Sequence, residues 1–96
     1  MFVRLTRFPL KPGSDDAAEE VAAKNEKVLR ELPGNLSTVI FLAEDELVSF
    51  TTWDSEEHAA AVTKAARDQA QSDLDEVLLS PPTTTTARTL VHDINR

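Results

Sequence analysis

Few side chains in this chain are equipped for chemistry, and they are scattered. Two histidines stand at His58 and His92 and one tryptophan at Trp53, and there is neither cysteine nor tyrosine. Without cysteine, thiolate nucleophiles, zinc–thiolate sites, iron–sulfur ligation and disulfides are excluded. The histidines lack the spacing of paired metal ligands and no third ligand suggests itself, so no metal site is expected. With only two glycines a phosphate cradle is hardly available, and no nucleophile elbow or paired-carboxylate spacing is present. His92 is therefore the one candidate catalytic group. An imidazole titrates near pH ~6.5, and alternation along the last strand lets it face a cavity as a general base. His58, at a helix start, reads as a surface residue. Trp53 reads first as a structural anchor whose N–H needs a partner, and second as a wall stacking on an aromatic ligand.

The elements that must position these groups follow from pattern. Residues 1–10 alternate, with Phe2, Arg4, Thr6 and Phe8 on one face and Val3, Leu5 and Arg7 on the other, a strand closed by Pro9 and Pro12-Gly13. Val3 and Leu5 are taken as its core side. Ser14-Asp15-Asp16 supplies acceptors for a helix start. Ala18, Val21, Ala22, Asn25, Val28, Leu29 and Leu32 then form one amphipathic stripe, which Pro33-Gly34 ends. Leu36 to Ala43 is apolar on both faces and reads as a strand covered on both sides. Glu44-Asp45 forms a tight turn into the strand Glu46 to Trp53. Asp54-Ser55-Glu56-Glu57 resembles a capping box opening a second helix, with a plausible break at Gln71 to Asp73. Ser80-Pro81-Pro82 precedes a last strand from Thr83 to Ile94.

The order βαββαβ predicts a ferredoxin-like α+β fold: a four-stranded antiparallel sheet with both helices on one face. The other face is then expected to carry Arg4, Thr6, Phe8, Phe41, Ser49, Thr51 and Trp53, with Arg88 near them. These are the candidate ligand-binding residues, a few polar groups set among apolar ones. So apolar a face, left in water, marks an interface or a groove, and a second copy in a symmetric homodimer is its cheapest cover.

The chain has 96 residues, enough for one domain, and buries roughly two thirds of its unfolded surface, so its core is small. Its net charge of −7 argues against nucleic acid and against an anionic membrane surface, both of which need clustered Lys and Arg. No apolar run approaches the ~20 residues of a membrane span. A cytoplasmic location is the default expectation, and a small apolar or aromatic ligand suits the field better than a polyanion.

Pro33-Gly34-Asn35-Leu36 after an amphipathic helix, a hairpin, and Trp53-Asp54-Ser55-Glu56-Glu57 leading into a second helix together resemble the antibiotic biosynthesis monooxygenase-like domains. The likeness spans nearly the whole chain in element order. It implies a dimeric α+β barrel with a small-molecule cavity in each subunit. It also brings relatives of several kinds: cofactor-independent oxygenases of quinols and polycyclic aromatics, haem-degrading enzymes, and proteins of no known activity. Where haem-degrading relatives carry Asn, Trp and His, this chain has Thr6, Val62 and Ser72, so no cofactor is expected. Two functions stay open: a cofactor-independent monooxygenase, or a non-catalytic barrel that carries a ligand or serves assembly or regulation.

Overall fold

The computed structural model describes residues 1–62 and 76–90. Four strands, β1 (Phe2–Pro9), β2 (Asn35–Ala43), β3 (Glu46–Trp53) and β4 (Thr83–Arg88), form one antiparallel sheet in the order β2-β3-β1-β4. Helix α1 (Asp15–Glu31) links β1 to β2, and α2 opens at residue 56 and is followed to residue 62. This is the expected ferredoxin-like α+β arrangement. The suggested break at Gln71 to Asp73 and the strand end beyond residue 90 lie outside the described residues. No described helix is long and apolar enough to cross a membrane.

Local chemistry explains the joints. Ser14 does not cap α1 through its side chain, contrary to expectation; instead its carbonyl accepts from the Ala18 N–H at 2.8 Å. Helix α1 ends at Glu31 with Leu32 already extended, and the chain turns into β2 at Gly34, whose φ of +82° is a conformation that glycine adopts at little cost. The β2–β3 turn puts Glu44 at φ +55°, and the Leu10 N–H pins it by donating to the Asp45 carbonyl at 2.8 Å. Within the Asp54–Glu57 capping stretch it is Ser55 that caps α2: its Oγ accepts from the His58 N–H at 3.2 Å.

Register fixes the faces. Phe2 lies opposite Trp53, Arg4 opposite Thr51, Thr6 opposite Ser49 and Phe8 opposite Leu47. This row turns toward the helices, since Phe8 and Leu47 pack with Ala18 of α1 and Trp53 packs with Leu29 of α1 and Ala59 of α2. Val3 and Leu5 therefore face away from the helices, the reverse of the sequence expectation. β2 is an edge strand, and among the described residues α1 covers it on one side only. Val39 and Phe41, opposite Phe50 and Val48 on the helix-free face, are 53% and 45% exposed.

Candidate functional site

Among the described residues the apolar core between sheet and helices falls into two clusters. One cluster holds Phe8, Leu10, Ala18, Leu47 and Val77, with Ala22 packed against it. The other holds Leu29, Trp53, Ala59 and Val62, with Phe2 and Leu32 packed against it. Along β1 the step from one to the other crosses Thr6 and Arg4, and along β3 it crosses Ser49 and Thr51. Along α1 it crosses Asn25, which lies between Ala22 of the first cluster and Leu29 of the second. Among the described residues of β1, β3 and α1 a polar belt thus lies between the two clusters, bridged by Ile40, which touches both. Buried polar groups cost stability unless they are bonded, so a belt of them needs a reason.

Part of the belt satisfies itself. The Trp53 Nε1–H donates to Thr51 Oγ1 at 2.8 Å, and that hydroxyl donates to the Arg4 carbonyl at 3.4 Å. Trp53 is 0% exposed, which makes it the structural anchor of its first reading. Thr6 shares a 3.1 Å hydroxyl–hydroxyl bond with Thr84. Other members are left wanting. Arg4 is 9% exposed, donates only Nη1 to the Ala59 carbonyl at 3.1 Å, and meets no carboxylate among the described residues. Burial lowers the Arg4 guanidinium from its ordinary value, a sign that its charge is held partly out of water. Asn25 Oδ1 is closed off from solvent with no partner among the described residues. Ser49 is buried, and its hydroxyl has no bond to a described residue.

The sequence-derived candidates divide accordingly. Arg4, Thr6, Phe8, Ser49, Thr51 and Trp53 do share one face, but it is the face beneath the helices and not the uncovered one. Phe41 is on the opposite face and is not brought to them. Arg88, opposite Phe2 on β4, shares the helix-side face at its exposed rim. His92 lies outside the described residues.

A second polar cluster stands at the mouth of α2. Asp54 Oδ1 and His58 Nδ1 are 2.6 Å apart, and the Asp54 N–H donates to the Gly34 carbonyl at 2.9 Å. The hydrogen bond to His58 holds the Asp54 carboxyl below the usual carboxylate range. A Cβ at Gly34 would collide with both side chains, so Gly34 serves the close approach of β2 to this pair as well as the turn. Asp54 and His58 contribute no side chain to the belt.

A family model described as antibiotic biosynthesis monooxygenase matches residues 1–71, about three quarters of the chain. The chain belongs to the antibiotic biosynthesis monooxygenase family. Solved structures agree on the fold. A Streptomyces coelicolor monooxygenase in complex with nanaomycin D is 22% identical, with a TM-score of 0.74 over 99% of this chain and 92% of that one. A Streptomyces nogalater cofactor-independent oxygenase is 10% identical, with a TM-score of 0.76 over 95% and 94%. A Nitrosomonas europaea protein of unknown function is 16% identical, with a TM-score of 0.79 over 99% and 94%. No curated protein matches.

In this member of the antibiotic biosynthesis monooxygenase family, sequence reasoning missed Asn25 as a site residue. The signal was present: a lone amide in the middle of an otherwise apolar helical stripe breaks the pattern that a packed face requires.

Proposed function

We propose that this protein binds a small aromatic or largely apolar molecule between sheet and helices, at the polar belt around Arg4, Ser49 and Asn25. One observation carries the reading: among the described residues the Asn25 acceptor has no partner and Arg4 makes one hydrogen bond, where the two apolar clusters are separated. Interior pockets that orient ligands combine apolar walls with a few such convergent polar groups. The unpartnered Asn25 acceptor favours a ligand bearing a hydroxyl, as hydroquinones do. A panel of dihydroxynaphthalenes and anthrones tests this by thermal shift and calorimetry. Binding is expected to raise Tm, and Ser49→Leu, which fills the belt, to abolish the shift. Failure of every panel member to bind the wild type refutes it.

Catalysis is a separate question. In the oxygenase reading the protein positions and desolvates an electron-rich aromatic that reacts with dioxygen, while His92 or a hydroxyl takes the proton. A ligand-carrying, non-catalytic barrel is favoured by the absence of a general base among the described belt residues, which offer hydroxyls, an amide and a guanidinium. Oxygen uptake with the same panel distinguishes the two. Identical uptake by wild type and His92→Ala removes His92 from the mechanism.

The helix-free face supports a homodimer. Val39 and Phe41 are largely exposed there beside Val3, Leu5 and Phe50, an apolar sheet surface that a second copy would cover. Light scattering at micromolar concentration is expected to give twice the mass of one chain, and Phe41→Asp to give one. A monomeric wild type refutes the dimer.

A further inference from the structure

Arg4 is the least satisfied charge among the described residues. It extends from the centre of β1 beneath α2, with nine-tenths of its surface removed from water. A guanidinium has five N–H donors, and one nitrogen here, Nη1, is committed to the Ala59 carbonyl. The remaining Nε and Nη2 have no hydrogen bond to a described residue. Removing a charge from water without a counter-charge costs several kcal/mol in general, and no described acidic side chain offsets it. Among the described residues nothing offsets that cost, and a threonine or valine at this register, between Thr51 and Thr86, would not incur it.

Resting on the binding reading above, we propose that Arg4 anchors a carboxylate, so that the ligand class is a small aromatic or alicyclic monocarboxylic acid. Three features select the carboxylate. With Nη1 occupied, the edge left free is Nε–Nη2, whose two parallel N–H groups match the coplanar oxygens of a carboxylate side-on. The next pair along the same face, Thr6 and Ser49, carries hydroxyls, which can add bonds to an anion but cannot themselves neutralise the cation. At the rim, Arg88 places a second positive charge on the same face one register step away, opposite Phe2. The net charge of −7 does not forbid a single negative charge at this depth. The Debye length is about 8 Å at physiological salt, so the distant surface carboxylates are screened while a direct guanidinium contact is not.

The test is calorimetry on the full chain at about 0.15 M salt, with naphthoate and its neutral counterpart naphthamide as probes. Wild type is expected to prefer naphthoate by roughly tenfold or more, about 1.4 kcal/mol. Arg4→Met is expected to remove that preference while still binding naphthamide. Near-UV dichroism of Trp53 and thermal melting verify that the variant is folded. Should it not fold, Arg4→Lys keeps the charge but lacks the fork, and is expected to lose most of the preference. Equal binding of the two probes by wild type overturns the carboxylate anchor and leaves the binding reading standing. A preference that survives in the folded Arg4→Met variant, or is unchanged in Arg4→Lys, also overturns the anchor. If neither probe binds wild type the anchor falls, and the interior site is then decided by the dihydroxynaphthalene and anthrone panel alone.

Discussion

Replacing glycine by alanine at two positions with nearly the same backbone conformation separates strain from crowding. Gly13 has φ +79° and Gly34 φ +82°, so alanine meets the same left-handed penalty at each, about 1–2 kcal/mol. Their surroundings differ completely. A Cβ on Gly13 has nothing within 4 Å, whereas one on Gly34 drives into the His58 ring and the Asp54 carboxylate. Gly13→Ala should therefore show the backbone term alone. In a domain of this size each kcal/mol lowers Tm by about 4–8 °C. Gly34→Ala should cost distinctly more, because the 2.6 Å Asp54–His58 contact must open to admit the methyl group. The excess should be local to that pair. In a His58→Ala background, where Asp54 is free to rotate away, the cost of Gly34→Ala should shrink toward that of Gly13→Ala, a coupling that a double-mutant cycle in urea measures directly. Equal costs for the two single substitutions, or an undiminished Gly34→Ala cost without His58, would refute the reasoning.

Two further predictions concern groups already described. Thr51→Val removes the acceptor for the Trp53 Nε1–H and leaves a buried indole donor unpaired, a loss of about 1–3 kcal/mol that Thr51→Ser should largely restore; denaturant melts and the indole N–H resonance report it. The Asp54 carboxyl sits below its ordinary value because His58 hydrogen-bonds it, so the ionised form is the one the fold favours. Its stabilising contribution is thus present above the unfolded carboxylate pKa of about 3.9 and is lost as pH falls through the depressed folded value. Stability of wild type and Asp54→Asn should differ near neutral pH and converge in acid; parallel pH profiles would remove Asp54 from the acid limb.

The element order and most boundaries were legible because local signals agreed. The α1 stripe, the Pro33-Gly34 stop and the Ser55 cap each name a joint by their own chemistry. The sides of the sheet were not legible. In β1 the row Phe2, Arg4, Thr6, Phe8 competes with Val3, Leu5, Arg7, and counting polar residues assigns the second row to the core. Long-range pairing decides otherwise: Phe8 and Leu47 close one cluster, Trp53 and Leu29 the other, and Arg4 and Thr6 are held between them. In β2 the two apolar faces reflect two different covers, α1 over Ile40 on one side and, in our proposal, a second subunit over Val39 and Phe41 on the other.

The error in face and the proposed location of the site have one cause. A core needs apolar continuity, so a strand whose buried face reads Phe-Arg-Thr-Phe looks solvent-exposed to any rule based on pattern. Such a face stays buried only if the interior demands polarity there, and the same demand recurs independently on α1 at Asn25 and on β3 at Ser49 and Thr51. Three elements distant in sequence interrupt their apolar rows at one level. Coincidence would scatter the interruptions, whereas a bound molecule with polar groups aligns them. The position where the sequence pattern fails is thus the position that the ligand is inferred to occupy.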